Sequence, residues 1–155
     1  MASNRRHTGN HSHEPPSSAH TTTFAILTAA ERLRRRLAEV VEPYGVTLQQ
    51  YHVMRILSGA GSAGLPTLVV AERMIEHTPG VTRLLDRLES KELVRRVRSA
   101  TDRRLVLCTL SAEGKRRVEA MEAAIEAEEA AAVGGLSRSE GQQLIRLLGA
   151  MGSDG

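Results

Sequence analysis

The chain of 155 residues has room for one domain, or two very small ones, and its 41% hydrophobic and 25% charged residues fit neither a wholly disordered chain nor a membrane protein. No uninterrupted apolar stretch approaches the roughly 18 residues of a membrane-spanning helix. Aromatic residues make up 2% (Phe24, Tyr44 and Tyr51, without Trp), which nearly excludes the stacking platforms of single-strand binders and leaves an aliphatic core. Cys108 is the single cysteine, so no internal disulfide forms. The N-terminus also lacks the apolar stretch of a signal peptide, and both features predict a cytoplasmic protein.

The formal net charge is only +3. Its distribution is more informative. Lys91, Arg95, Arg96, Arg98, Arg103 and Arg104 face only Glu92 and Asp102, a local charge of +4, whereas Ser111 to Val133 carries a net −3. A basic patch beside acidic surface suits counterion release from a polyanion, with the rest of the protein held off the phosphates. A solvated charged face would show the same charges.

Residues 1–22 are polar, contain Pro15 and Pro16, and bury too little apolar surface to offset the entropy of ordering. They are expected to form a disordered arm, in which Arg5 and Arg6 suit contact with DNA better than His7, His11, His13 and His20 suit a metal. From Phe24, residues Ile26, Leu27, Ala30, Leu33, Leu37, Val40, Val41 and Tyr44 recur at helical spacing, and the element ends near Pro43 to Gly45. Thr47-x-x-Gln50 is a capping box that opens a second helix with Leu48, Tyr51, Met54 and Leu57 facing the core. A third helix is expected from about Thr67, with Leu68, Ala71, Met74 and Ile75 on one side. After a short break, Thr78-Pro79 provides an N-cap and a proline at the first helical position. Val81, Leu84, Leu85 and Leu88 then anchor a fourth helix. Two short helices joined by a tight turn suggest helix-turn-helix, with the polar face of the second free to enter a groove.

Val94 to Arg98 and Leu105 to Leu110 are short strand-forming runs separated by the turn-forming Ser99-Ala100-Thr101-Asp102, and they predict a β-hairpin with a positive tip. Ser111 caps a long helix to about Ala132 with Val118, Met121 and Ile125 as its stripe. Gly134-Gly135 ends it. Ser137-x-x-Glu140, a second capping box, opens a last helix with Leu144, Leu147, Leu148 and Met151 on one face. The expected fold is mainly α with a small β-hairpin wing: a winged helix-turn-helix flanked by N- and C-terminal helices.

The residues Ala71-Glu72-Arg73-Met74, the run Thr78 to Glu89, then Asp102-Arg103-Arg104 and Leu110-Ser111-Ala112-Glu113-Gly114 resemble the MarR family of bacterial transcriptional regulators over roughly residues 24–151. The resemblance implies a sequence-specific regulator of double-stranded DNA. It would act as a homodimer and a ligand-responsive repressor on a pseudo-palindromic operator. The winged part spans about 47–110 and the dimerisation helices about 24–44 and 111–151. Apolar stripes on the terminal helices need cover, and a two-fold dimer sets recognition helices about 34–36 Å apart.

On the recognition helix, Thr78, Pro79, Gly80, Thr82, Arg83 and Arg87 lie opposite the leucine face. Gly80 permits close backbone approach, and Thr82 and Arg83 reach base edges or phosphates. Arg87 either contacts phosphate or pairs with Asp86 or Glu89. On the wing, Asp102 and Arg104 match the family motif: an arginine at a hairpin tip suits a narrow minor groove, and Asp102 can hold it in place. Arg98 and Arg103 lie beside it. A solvated turn with a surface ion pair is the alternative.

The resemblance also implies an effector pocket, often for aromatic or phenolic anions, for which Tyr44, Tyr51, His52 and Arg55 are candidates; Tyr51 at helical spacing fits a core equally. Cys108 falls in the second wing strand rather than in the first helix, where the peroxide-sensing branch of the family keeps its reactive cysteine, and so is expected to be a buried structural thiol. Two positions depart from the family pattern: Glu92 stands where glycine is common, and Val69 where a polar residue is usual. No catalytic constellation, phosphate-cradling loop, paired metal-ligand spacing or cofactor motif is present, and no membrane partner is expected. A helical dimer that uses its winged domain for protein partners is the competing reading.

Overall fold

A computed structural model of the protein describes residues 18–74, 80–99, 102 and 104–151. The chain divides into two units, 1–32 and 33–155. Helix α1 (Ser18–Val41) begins five residues inside the expected arm, and residues 1–17, with Arg5, Arg6 and three of the histidines, lie outside the described residues. No glycine or proline interrupts the chain between Ser18 and Phe24, and adding turns to a formed helix costs far less than nucleating one. Thr22 donates its hydroxyl proton to the Ser18 carbonyl (2.8 Å) within this extension. In the first unit Phe24 and Leu27 are 65% and 63% exposed, and Ile26 of the same predicted stripe is half-buried.

In the second unit α1 buries Leu37 and Val41 and passes through a 3-10 turn, Glu42–Tyr44. The Thr47 capping box is formed: Gln50 N–H donates to Thr47 Oγ1 (3.2 Å) and Thr47 N–H to Gln50 Oε1 (3.1 Å). It opens α2 (Leu48–Ala60), which buries Tyr51, Val53, Met54 and Leu57. A two-residue strand, β1 (Leu65–Pro66), leads into α3 (Thr67–Arg73). Here the expected face is corrected in part: Met74 is buried and Ala71 packs against the core as expected, but Leu68 is 70% exposed and Val70 is buried in its place. In so short a helix the i,i+4 pair Val70 and Met74 sets the inward side. Val69 is half-buried, and Ile75, Thr78 and Pro79 lie outside the described residues.

Helix α4 (Val81–Ser90) opens two residues later than the Thr78-Pro79 signal suggests, with Gly80 as its N-cap residue at φ 140°, a conformation that glycine alone adopts readily. Val81, Leu84, Leu85 and Leu88 are all buried, as their spacing predicts. Strands β2 (Val94–Arg98) and β3 (Val106–Leu110) form the hairpin, with Val94 opposite Leu110 and Arg98 opposite Val106. Strand β1 adds Leu65 opposite Cys108, giving an antiparallel sheet of order β1-β3-β2. Helix α5 (Ala112–Val133) buries Val118, Met121 and Ile125. Helix α6 (Arg138–Met151) opens on its predicted capping box, with Ser137 N–H donating to Glu140 Oε2 (2.8 Å) and Glu140 N–H to Ser137 Oγ (3.3 Å). Its apolar face, Leu144, Leu147, Leu148 and Met151, is between 41% and 60% exposed.

The turn after α4 is where helix, sheet and α5 meet. Glu92 has φ 58°, the left-handed conformation expected at this departure from glycine. Its N–H donates to Glu89 O (2.9 Å) and the Leu93 N–H to Leu88 O (2.9 Å), which closes the helix in a Schellman motif. Ser111 N–H donates to Leu93 O (3.0 Å), Ser111 Oγ donates to Glu92 O (2.6 Å) and accepts from Gly114 N–H (2.9 Å). A Cβ at Gly114 would lie 2.1 Å from Leu93 O, so this helical glycine is required by close approach of backbone.

Two outcomes follow for urea denaturation. Gly114→Ala should lower stability by at least about 2 kcal/mol, since backbone must move to admit the methyl group; an unchanged midpoint would contradict the close approach. Glu92→Gly should raise it by up to about 1 kcal/mol, because the left-handed penalty of about 1–2 kcal/mol exceeds the extra entropy glycine loses on folding. An equal or lower midpoint would show that Glu92 is unstrained.

Candidate nucleic-acid interface

Burial of the leucine face of α4 turns its opposite face outward, where Thr82, Arg83, Asp86 and Arg87 are exposed. The two carboxylates near this face, Asp86 and Glu89, are one turn apart and converge on a wing residue. Arg96 of β2 donates from Nε to Glu89 Oε2 (2.8 Å), places Nη2 2.6 Å from the same oxygen, and pairs through Nη2 with Asp86 Oδ1. The Glu89 hydrogen bond, joined by that to Asp86, holds the Arg96 pKa above its ordinary value against partial burial. Of the two roles open to Arg87, pairing with Asp86 or Glu89 is therefore not adopted. Arg83, Arg87, Arg95, Arg98 and Arg104 have no ion pair among the described residues.

The hairpin tip is shaped by its polar residues. Ser99 N–H donates to Leu105 O (2.9 Å), Leu105 N–H to Asp102 O (3.0 Å), and Asp102 N–H to Ser99 Oγ (3.2 Å). Asp102 Oδ1 accepts the backbone N–H of Arg104 (2.9 Å). Asp102 thus positions Arg104 through the main chain and leaves the guanidinium exposed; Arg103 lies outside the described residues. Lys91, part of the same basic run, is used internally, donating from Nζ to Gly45 O (2.6 Å) and Gln50 Oε1 (3.3 Å).

The four candidate effector residues sit where α2 meets α5 and make contacts within the protein. Tyr44 donates its hydroxyl to Ala120 O (3.0 Å), and its carbonyl accepts from Arg117 Nη1 (2.9 Å). Tyr51 is 4% exposed, and burial pushes its hydroxyl pKa up. Arg55 lies 3.4 Å from Glu129 on α5. His52 is half-buried, its ring centroid 6.0 Å from that of Tyr51. An open groove of about 600 Å³ lies elsewhere, between β2 and the start of α5, bounded by Glu89, Val94, Arg95, Arg96, Ser111 and Arg116; none of the four lines it. Cys108 is fully buried, 3.6 Å from Thr67 Oγ1, and burial raises its thiol pKa. Among the described residues no helix is long and apolar enough to cross a membrane.

A short helix leading to a helix with one buried and one cationic face, followed by an arginine-tipped hairpin bolted to it, defines a winged helix-turn-helix domain. Residues 46–106 match the model of the MarR family. Over 89 residues the chain is 35% identical to the HTH-type transcriptional repressor MdtR of Bacillus subtilis, covering 57% of this chain and 56% of MdtR. Over 93 residues it is 31% identical to the homoprotocatechuate degradative operon repressor of Escherichia coli, covering 60% of this chain and 62% of that protein. The chain therefore spans less than two thirds of each of these curated relatives. The crystal structure of the S. aureus MepR–DNA complex superposes with a TM-score of 0.77 at 26% identity, covering 83% of this chain and 94% of that one. Residues 46–106 thus resemble the MarR family, and the fold is similar to that of MepR.

Tyr51 separates core duty from ligand contact. If its ring is core, Tyr51→Ala should cost about 3–5 kcal/mol in thermal or urea unfolding; a loss below about 1 kcal/mol would show that the ring faces a cavity.

Proposed function

We propose that the protein is a sequence-specific, double-stranded DNA-binding transcriptional repressor that acts as a homodimer on a pseudo-palindromic operator. The observation that carries this reading is the pairing of two cationic probes on one scaffold. Thr82, Arg83 and Arg87 project from the exposed face of α4, where a major groove would receive them, and Arg104 projects from a turn that Asp102 shapes. Gly80 and Arg98 are included in the proposed contact set, and Thr78, Pro79 and Arg103 complete it in sequence.

Homodimerisation is supported by the apolar face of α6 and by Phe24 and Leu27 on α1, which are exposed in the single chain. Repression is the sense favoured by the relatives named as repressors, and a dimer covering about 20 base pairs would exclude polymerase from a promoter that its site overlaps. An aromatic or phenolic anion is the proposed effector class, with Tyr44, Tyr51, His52 and Arg55 as its neighbourhood. Arg55 and half-buried His52 offer the polar contacts there, and the E. coli relative is named as repressor of an operon that degrades homoprotocatechuate, itself a phenolic acid.

Selection of a random duplex pool on the purified protein should return an inverted repeat with half-sites one helical turn apart. Anisotropy at about 150 mM salt should show it bound at least ~10³-fold over scrambled DNA. Arg104→Ala should weaken specific binding by about 1–3 kcal/mol, and Arg87→Ala should lower the salt slope by about one unit. No enrichment by the folded protein, with or without phenolic ligands, together with wing variants that retain partner binding, would favour a protein-interaction module.

A further inference from the structure

The geometry points to Arg96 as the positioning residue that fixes the wing against the recognition helix and so sets the distance between the two DNA-reading groups. The inference rests on the DNA-binding reading for its functional half, and on the free protein alone for its structural half.

Strand β2 is an edge strand, paired with β3 and with no second strand beside it among the described residues. The hairpin is tied to the body at its base, where Leu93 and Ser111 meet, and along β3, which pairs with β1 at Cys108 and Leu107; the outer strand β2 has no such second strand to hold it to α4. Arg96 lies two residues beyond Val94, opposite Cys108 in the ladder, with its side chain only 23% exposed. From there its guanidinium bridges Glu89 and Asp86, which α4 presents on one side at i,i+3 spacing. One planar fork reaching two carboxylates defines an angle as well as a distance, which a single ammonium on a flexible stem does not. The contact also engages both acids of α4, so that neither is paired with Arg83 or Arg87. Ordering the wing before binding spares the complex that ordering cost.

The sign of one experiment separates positioning from simple electrostatics. In Asp86→Asn/Glu89→Gln two negative charges near the DNA-facing surface disappear and Arg96 is released, so charge alone predicts tighter binding. The lock predicts binding about ten-fold weaker, with Arg96→Met showing the same loss and Arg96→Lys failing to rescue it. In either background Arg104→Ala should cost less than about three-fold, against about ten-fold or more in the parent, because an unanchored wing no longer places that arginine. In the free protein, amide exchange across the β2–β3 ladder should accelerate about ten-fold, while Leu85 and Met121 exchange as before, which also shows that the variants fold. Tighter binding by the neutralised variant, additive losses with Arg104→Ala, or unchanged wing exchange would overturn the lock. A parent protein that enriches no duplex, while its variants still loosen the wing, would overturn the DNA reading and leave the mechanical role of Arg96 standing.

Discussion

The carbonyl of Leu93 is the point on which this domain turns. The Leu93 N–H finishes α4, its side chain is buried, and its oxygen receives the Ser111 N–H at the end of β3 while lying against the bare Cα of Gly114 in α5. Three elements therefore meet at the backbone of one residue. None can shift by an ångström without unmaking a buried hydrogen bond or colliding with backbone, and interiors at protein density do not deform continuously to absorb such a shift. A shift of α5 at Gly114 would therefore press on the turn that ends α4. The left-handed Glu92 is tolerated because four hydrogen bonds converge on its neighbours and on its own carbonyl, fixing a turn that its Cβ disfavours.

Around this junction the arginines divide into those that build and those that remain available. Arg96, Arg117 and Arg36 are committed to Asp86 and Glu89, to Glu113 and the Tyr44 carbonyl, and to Glu128 (2.6 Å) respectively. Arg83, Arg87, Arg98 and Arg104 gather on α4 and the wing without carboxylates of their own among the described residues. A net charge of +3 conceals this separation. The patch matters because its cations are not internally compensated, and the acidic side chains of α5 lie on a different element.

What could be read directly from the amino acids was local. The capping boxes at Thr47 and Ser137 and the leucines of α4 depend on residues within a turn or two of one another, and each appears as its spacing predicts. The hairpin was legible because its turn residues and strand residues adjoin. Strand β1 was not, since two residues, one of them proline, carry no periodicity and are made a strand only by Cys108 and Leu107 alongside. The inward face of α3 was misassigned because seven residues admit more than one stripe and packing against the body decides between them. Among the site residues, Arg87 and Arg104 could be placed by helix and turn geometry. The commitment of Lys91 and Arg96 to internal contacts could not, because their partners arrive from elsewhere in the fold.

Cys108 has one more consequence. It is the chain's single thiol, sits in the central strand of the sheet, and is wholly shielded from solvent, opposite Leu65 on one side and Arg96 on the other. Its sulfur lies beside Thr67 of α3, and an alkylating reagent can reach it only when the packing over that face of β3 opens. The rate of labelling in dilute reagent therefore clocks local opening of the body from a single atom.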